Sequence, residues 1–474
     1  MAITAKSVDE LKKATASALT ISGNDVKVLN WSLIRGEAAD TLAWTVAFSP
    51  DAETRATGAW LIRVLAKQAG NGPASIHDVY MAKGKGALPT NFTVPAINIR
   101  QMAYDYARAI FRVAKKHQAG ALICEIARSE MGYTAQPPME YASSILAAAL
   151  REDYPFPVFI QGDHFQINAK AFAKDAKAEI EGLKKMCVQS IDAGFYNIDI
   201  DSSTLVDLAK GTLDEQQALN YGKAIEISDF VRAHQPKGVT VSLGGEIGEV
   251  GSKNSTVEEL EAFMNGYNKG LKPGQAGLSK LSVQTGTSHG GVVLPDGTLA
   301  KVKVDFDTLE KLSAESRAKF GMGGAVQHGA STLPTELFDR FPQTGTCEIH
   351  LATEFQNIMY EHPQFPAALK NEINEWLKVN AANERKEGES DSQFLYKARK
   401  KAIGPFKAKL WGMPQAAKDA IIATLTEKVE LLFRKLNVGG TGPAIKPFVP
   451  LPDVSLPAPA AAKAGGAEHF EGDD

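Results

Sequence analysis

The chain has 474 residues, of which 44% are hydrophobic and 23% charged, a composition typical of a soluble globular protein with an extensive core. Its formal net charge of -3 gives no electrostatic basis for binding nucleic acid, and no apolar run approaches the ~18 residues of a membrane span. The three cysteines lie far apart and form no CxxC pair, so we expect neither a disulfide framework nor a thiolate zinc site. The N-terminus MAITAKSVDELKK also lacks the apolar core of a signal peptide. These features predict a cytoplasmic protein with no nucleic-acid and no membrane partner.

The first predicted region is an N-terminal extension, residues 1–91. Its amphipathic segments SVDELKKATASAL and ATGAWLIRVLAKQAG have the spacing of apolar residues that a helix needs to bury one face. We therefore expect this extension to be mainly helical.

Residues 92–360 alternate short β-branched runs with longer segments of helical period. One helix candidate, STVEELEAFMNGY, begins with a capping pattern of Thr256 followed three residues later by Glu259. Eight strands that alternate with helices predict an α/β fold of the (β/α)8 TIM-barrel type. No GxGxxG motif follows the first strand, which argues against a dinucleotide-binding domain. The strand candidates are 94–99, 120–126, 157–163, 197–203, 239–248, 280–286, 324–329 and 347–353.

The chain after the barrel divides into two predicted parts. Residues 361–437 have strong helical periodicity, clearest in AAKDAIIATLTEKVELLFRKL, and predict a helical C-terminal extension. Residues 438–474 are rich in Pro, Ala and Gly and end in acidic residues, which predicts a flexible tail.

Histidines and acids fall where the predicted strands end, and in a (β/α)8 barrel those ends meet at the rim that carries the reactive groups. His164, His289 and His328 follow the third, sixth and seventh strands, Glu246 ends the fifth, and His350 lies in the eighth. Three imidazoles are a suitable ligand set for Zn²⁺ or a related divalent ion with one position open for substrate. Each histidine alone is compatible with an ordinary polar strand end, but three at one rim favour a metal site.

Two aspartate motifs accompany these histidines. Asp163 precedes His164 and can exchange a proton with a substrate hydroxyl; the alternative is a carboxylate that supports the ligand or caps the strand. Asp199 and Asp201 alternate along NIDIDSS and therefore share one strand face. The rim position favours Asp201 as a site residue and predicts a deeper, charge-paired position for Asp199.

Glycine accompanies two of the candidate ligands, in GTSHGG at 286–291 and QHGAST at 327–332. Backbone N–H groups next to glycine, with the nearby hydroxyls of Ser331 and Thr332, suit an anion, and the last two βα loops of such barrels often hold phosphate. The alternative is a pair of ordinary βα turns, which also use glycine. Next to a metal site, phosphate binding is the favoured interpretation.

Seven short motifs follow one another in order: PAIN at 95–98, DH at 163–164, IDSS at 200–203, EIG at 246–248, GTSHG at 286–290, HGAS at 328–331 and ATE at 352–354. In order and spacing they resemble the class II, metal-dependent fructose-bisphosphate and tagatose-bisphosphate aldolase family. The resemblance covers about residues 92 to 360, with a weaker echo in the C-terminal helices.

The resemblance implies a zinc ion bound by His164, His289 and His328, with Glu246 as a nearby or alternate ligand. It further implies that Asp163 protonates or deprotonates the C4 hydroxyl of a ketose substrate in the aldol step. A divalent ion acting as a Lewis acid stabilises the enediolate left by C–C cleavage, so no lysine Schiff base is needed.

The resemblance also assigns residues to the phosphate of dihydroxyacetone phosphate, which such enzymes often bind with the help of a monovalent cation. Asn98, on the first strand, is the expected supporting residue. The expected phosphate-binding residues are Gly290, Gly329, Ser331 and Thr353.

Two residues depart from the family pattern, and a third has a role that the pattern supports only weakly. His350 stands where the family has an asparagine that touches the enediolate, and is a catalytic candidate. Asn254 stands where the family has a loop acid that moves a substrate proton, so either Glu249 or Glu258 takes that role or the reaction differs. Arg399, in YKARKK, is the candidate for a second substrate phosphate, with a solvated basic helix face as the alternative.

The leading functional expectation is a zinc-dependent aldolase that cleaves fructose 1,6-bisphosphate to dihydroxyacetone phosphate and glyceraldehyde 3-phosphate. Tagatose 1,6-bisphosphate or another phosphoketose is the alternative substrate. The fructose and tagatose bisphosphates differ at one stereocentre, and the motifs do not distinguish the two sugars. A non-catalytic, aldolase-like accessory subunit is a second hypothesis, and a metal-binding barrel that transforms an unrelated substrate is a third. A homo-oligomer is the family expectation.

Overall fold

Eight parallel strands form a closed ring at the centre of this structure, a computed structural model that describes residues 3–248, 253–286 and 303–459. The ring consists of strands β4 to β11: each pairs in parallel with the next, and β11 pairs with β4. The predicted (β/α)8 barrel is thereby confirmed, and each predicted strand segment overlaps one ring strand. In chain order the strands are β1 (Leu19–Ser22), β2 (Asp25–Val28), β3 (Pro73–Ala74), β4 (Val94–Asn98), β5 (Ile123–Ala127), β6 (Val158–Gln166), β7 (Asn197–Asp201), β8 (Ser242–Glu246), β9 (Lys280–Val283), β10 (Ala325–Gln327) and β11 (Glu348–Leu351).

Helices cover the outside of this ring. Helices α6 to α14 connect successive ring strands, α15 follows β11, and the long α19 packs against α6. The capping pattern expected at Thr256 is present, because the Thr256 side chain accepts from the backbone N–H of Glu259 at the start of α12. The helices are α1 (Val8–Thr15), α2 (Trp31–Leu33), α3 (Ala39–Phe48), α4 (Ala52–Ala69), α5 (His77–Gly84), α6 (Ala103–His117), α7 (Arg128–Tyr133), α8 (Pro138–Arg151), α9 (Ala169–Lys174), α10 (Ala176–Ala193), α11 (Leu213–His234), α12 (Val257–Gly270), α13 (Phe306–Phe320), α14 (Arg340–Gln343), α15 (Thr353–Tyr360), α16 (Ala367–Asn380), α17 (Asp391–Ala398), α18 (Lys407–Trp411), α19 (Gln415–Lys435) and α20 (Thr441–Ile445).

The segment before the ring contains α1 to α5, together with a β1–β2 hairpin that the helical periodicity did not indicate. Helices α3 and α4 pack on α8 of the barrel. The ring of Trp44 in α3 meets that of Trp411 in α18 edge to face, with centroids 5.5 Å apart. The N-terminal segment and the C-terminal helices therefore share one apolar core with the barrel.

The chain after residue 437 continues along the protein surface as far as the structure describes it. Ile445 is buried near the bottom of the barrel, and the indole of Trp60 donates to the Leu456 carbonyl at 2.9 Å. Lys67 pairs with Asp453 at 2.6 Å. Residues 438–459 thus contact the barrel and the N-terminal helices, whereas the expected flexibility of residues 460–474 concerns a part outside the described residues.

A buried ion cluster crosses the interior of the barrel. The ammonium of Lys280 on β9 lies 2.9 Å from Asp199 on β7 and 2.5 Å from Glu348 on β11. Gln161 on β6 accepts from Lys280 at 2.8 Å and donates to Glu348 at 2.8 Å. Asp199 therefore has the deeper, charge-paired position that its strand alternation predicted. Because buried charges are tolerated when they are paired and hydrogen-bonded, this cluster can replace the branched apolar layers usual in such barrels.

Gly244 on β8 provides the space for this cluster. A Cβ at residue 244 would lie 2.3 Å from an Asp199 carboxylate oxygen and 2.9 Å from Lys280 Cε. The glycine therefore lets the β7–β9 ion pair cross over β8.

Among the described residues, the structure contains no helix with the length and apolarity needed to span a bilayer.

We expect Lys280→Met to lower the free energy of unfolding by about 3–5 kcal/mol, because it removes the buried ammonium that pairs with Asp199 and Glu348. Urea denaturation followed by circular dichroism measures this change. The matched control is Lys378→Met, whose partner Glu375 is solvent-exposed, and a change below about 0.5 kcal/mol is expected there. Equal stabilities of the Lys280 variant and the wild type would contradict the role given to the buried cluster.

Candidate active site

A bulge at the end of β6 allows the neighbouring residues Asp163 and His164 to enter the same rim. In a regular strand, adjacent side chains point to opposite faces of the sheet. The pairing of β6 with β7 shifts by one residue between Gly162 and Phe165, and His164 has a left-handed φ of 40°. As a result His164 Nε2 lies 3.6 Å from Asp163 Oδ1.

Gly162 is required by this bulge. The buried ring of Phe165 folds back over it, so that a Cβ at residue 162 would lie 2.3 Å from a ring carbon. Glycine at this position therefore permits the backbone path that brings Asp163 and His164 together.

Side chains from β6 to β10 converge on His164. Its Nδ1 lies 3.2 Å from Asp201 Oδ2 and 3.4 Å from Glu246 Oε2. Its ring centroid lies 4.4 Å from that of His328, the residue after β10. Ser282 on β9 places its hydroxyl 2.9 Å from His328 Nε2. The rim position predicted for Asp201 is thus observed, in contact with His164.

Carboxylates dominate the electrostatics of this group. Burial lowers the pKa of His164, but Asp163, Asp201 and Glu246 outweigh it and hold that pKa well above its usual value. Burial and the neighbouring Asp201 raise the pKa of Glu246. Burial also opposes ionisation of Asp201, yet hydrogen bonds from His164 and other neighbours hold its pKa below the usual value. The site therefore favours a cation, whether a proton or a metal ion, next to these carboxylates.

The donor atoms fit a divalent metal ion. One donor atom from each of Asp163, His164 and His328 lies within 4.8 Å of the others, and the same holds for His164, Asp201 and Glu246. A zinc ion with ligands at about 2.1 Å needs donors roughly 3–4 Å apart, a spacing that both sets approach. Imidazole nitrogens and carboxylate oxygens are the donor types that zinc accepts.

His350 lies beneath the rim, inside the barrel. It is 5% exposed, and its ring stacks on that of His328 with centroids 3.9 Å apart. Burial lowers the pKa of His350, but Glu125 and Asp163 hold it well above its usual value. Burial, followed by the charge of Asp163, raises the pKa of Glu125 to about 7.

Three of the four predicted phosphate-binding residues, Gly329, Ser331 and Thr353, lie in the loops after β10 and β11, the seventh and eighth ring strands. Gly329 has a φ of 70° directly after His328, and Ser331 is buried in the same loop. Thr353 is the first residue of α15. Asn98, at the end of β4, donates its amide to Glu130 at 2.6 Å.

Three predicted residues, Glu249, His289 and Gly290, lie outside the described residues. Asn254, which the sequence resemblance aligns with a loop acid, donates to Asp305 at 2.7 Å, and Asp305 caps helix α13. In the structure, Asn254 therefore links the loop after β8 to the start of α13.

Arg399 forms its observed contacts away from the rim cluster. Its guanidinium pairs with Glu361 and donates to Asn357 at 2.7 Å. It also lies 4.1 Å from the ring centroid of Tyr396. Arg399 is buried, so it does not lie on the solvated basic helix face considered as the alternative. Its binding of a second substrate phosphate stays a prediction.

The sequence patterns missed Glu125, Lys280 and Ser282. A usable signal was present for the first two: Glu125 interrupts the apolar run ICEIA, and Lys280 begins the buried strand KLSV. An ionisable residue in a fully buried strand needs a partner inside the barrel.

Comparison with known proteins identifies the family. Residues 84–432 match the family model described as "Fructose-bisphosphate aldolase class-II". The chain belongs to this family. It is therefore a class II aldolase, an enzyme of the lyase class, and the match extends through most of helix α19.

Several solved structures resemble this class II aldolase at low sequence identity. A "probable tagatose 6 phosphate kinase" from Sinorhizobium meliloti 1021 has 17% identity and a TM-score of 0.51, covering 75% of this chain and 93% of that one. The fructose-bisphosphate aldolase of Campylobacter jejuni has 17% identity and a TM-score of 0.47, with coverages of 77% and 97%. The YdjI aldolase of Escherichia coli K12 has 12% identity and a TM-score of 0.44, with coverages of 78% and 99%. The similarity to the first of these structures supports the barrel fold and indicates nothing about function.

We expect Gly162→Ala to lower the free energy of unfolding by about 1–3 kcal/mol, because the new methyl group displaces the buried Phe165 ring. The same displacement is expected to disturb His164 and reduce bound metal. Urea denaturation and metal analysis of the purified protein measure the two effects.

Gly222→Ala is the matched control, because nothing lies within 4 Å of a Cβ at this position of helix α11. Alanine is the better helix former by about 1 kcal/mol, so unchanged or greater stability is expected. A Gly162 variant with wild-type stability and full metal content would show that the bulge does not need glycine.

Proposed function

We propose that this class II aldolase uses a divalent metal ion, zinc first among them, to cleave fructose 1,6-bisphosphate into dihydroxyacetone phosphate and glyceraldehyde 3-phosphate. The observation that carries the proposal is the convergence of His164 and His328 with the carboxylates of Asp163, Asp201 and Glu246 at one barrel rim.

His164 and His328 are the proposed metal ligands, with His289 as the third and Glu246 as an alternate. The donor types and their spacing support the first two and Glu246. A divalent ion held there would supply Lewis-acid stabilisation of the enediolate that C–C cleavage leaves next to a carbonyl.

Asp163 is the proposed acid–base residue. In the cleavage direction its carboxylate takes the proton of the C4 hydroxyl as the C3–C4 bond breaks, and C4 becomes the aldehyde. The proton that C3 of the enediolate then needs is assigned to Glu249, which follows β8 in the sequence. Glu258, exposed in the first turn of α12, is the alternative donor. In the condensation direction both transfers reverse.

The phosphate next to the ketone is assigned to the loops after β10 and β11. Gly329 exposes backbone N–H groups in a left-handed turn, Ser331 adds a hydroxyl, and Thr353 lies at the positive end of α15. Phosphate groups bind well to such sites, and Gly290 and a monovalent cation would complete this one. The resulting enzyme is proposed to act in the cytoplasm as a homo-oligomer.

Tagatose 1,6-bisphosphate is the next candidate substrate, because it differs from fructose 1,6-bisphosphate at one stereocentre and carries the same phosphates.

Metal analysis and turnover test the proposal together. We expect the purified protein to contain about one divalent ion at the rim and to cleave fructose 1,6-bisphosphate, and a chelator to abolish turnover. His328→Ala should lose metal and activity together, whereas Asp163→Asn should retain the metal and lose about 100-fold or more of kcat.

His234→Ala is the control, because this exposed histidine stacks on Phe230 of α11. Its metal content and kcat should equal those of the wild type. Bound metal without cleavage of either bisphosphate would contradict the proposed substrate, absence of bound metal would contradict the site, and full activity of Asp163→Asn would contradict its acid–base role.

A further inference from the structure

His350 is surrounded by carboxylates on both sides of its ring. Its Nδ1 lies 3.0 Å from Glu125 Oε2 and 3.1 Å from Asp163 Oδ1. Its Nε2 lies 2.8 Å from Glu348 Oε1 and 3.6 Å from Asp199 Oδ2. Both nitrogens therefore face carboxylates within ion-pair distance, although neither nitrogen forms a hydrogen bond of regular geometry, and the ring offers no nitrogen to a substrate.

The surroundings of His350 hold its ring in one orientation. One face stacks on His328, with an interplanar angle of 28°. The carboxylate on the Nε2 side, Glu348, is itself held by Lys280 at 2.5 Å and by the hydroxyl of Tyr80. The carboxylate on the Nδ1 side, Glu125, accepts from the amide of Gln161 at 3.0 Å. A side chain with such partners has little rotational freedom.

Asp163 is the member of this group that reaches the rim. Its carboxylate lies between His350 below and His164 beside it, at 3.1 Å and 3.6 Å. A carboxylate on one rotatable arm must point at the substrate hydroxyl in order to take its proton, and small misplacements are costly in rate. His350 is a partner that can fix this direction from within the barrel.

We propose that His350 is a positioning residue that holds the Asp163 carboxylate at the rim and connects it to the buried Lys280–Asp199–Glu348 cluster. This inference rests on the proposed acid–base role of Asp163. It assigns His350 no contact with substrate, in contrast to the catalytic contact expected from the sequence, and it makes Glu125 a second support of the same imidazole.

A double-mutant cycle with fructose 1,6-bisphosphate tests the inference. His350→Asn, Asp163→Asn and the double variant are compared with the wild type, each loaded with zinc. If His350 acts through Asp163, His350→Asn alone should lower kcat about 10–100-fold and change KM less than about 3-fold. In the Asp163→Asn background it should change kcat less than about 3-fold, because the residue it orients is already neutral.

Losses of kcat that multiply in the double variant would overturn the inference, since they would show that His350 acts independently of Asp163. The control is His234→Asn on α11, which should leave kcat and KM unchanged. If His350→Asn does not fold, Glu125→Gln replaces it in the cycle, because it removes the charge of one Nδ1 partner at constant size.

A crystal structure of zinc-loaded His350→Asn, or of Glu125→Gln in its place, provides the readout that does not depend on turnover. We expect the Asp163 carboxylate to rotate away from the position it has in the wild type, while His164 and His328 still bind the ion. If the Asp163 carboxylate kept its wild-type position in this variant, the inference would be wrong, whether or not the wild type cleaves a bisphosphate. A lack of cleavage by the wild type would by itself contradict only the proposed function.

Discussion

The barrel depends on the attraction between the Lys280 ammonium and the carboxylates of Asp199 and Glu348. These groups come from β9, β7 and β11, so the contact spans the inside of the ring. In a medium of low dielectric constant, a charge without a partner would cost several kcal/mol, and all three must therefore stay together when the ring closes. Gly244 provides the space for these groups. The side-chain amide of Gln161 accepts a hydrogen bond from Lys280 and donates one to Glu348.

The candidate active site is the next layer of the same interior. Residues two apart on a strand share a face, so Asp201 lies above Asp199 and His350 lies above Glu348. Each layer contacts the one beneath it, and the polar network continues from Lys280 through Glu348 and His350 to the rim. Interactions that stabilise the barrel therefore also orient the rim groups that are proposed to face a substrate, as expected of a rigid scaffold.

The motifs that resemble class II aldolases predicted part of the candidate site, and the barrel interior adds features of its own. The motifs place His164, His328 and Asp163, with the loops proposed to bind phosphate, at the ends of the strands. His350, at the position where the sequence resemblance implies an asparagine, has carboxylates on both sides of its ring. A group that can carry a positive charge suits this acidic part of the barrel interior.

Local sequence patterns predicted the eight strands and their order, because short β-branched runs that are buried on both faces stand out between longer segments of helical period. The same logic identified His164, His328 and Asp163 as strand-end residues. Only the tertiary structure decided that a bulge turns Asp163 and His164 to one side, that His350 lies below the rim, and that Arg399 pairs with Glu361. These outcomes depend on contacts between residues distant in sequence, such as Lys280 with Asp199. A local sequence pattern does not indicate which distant residue a charged side chain will contact.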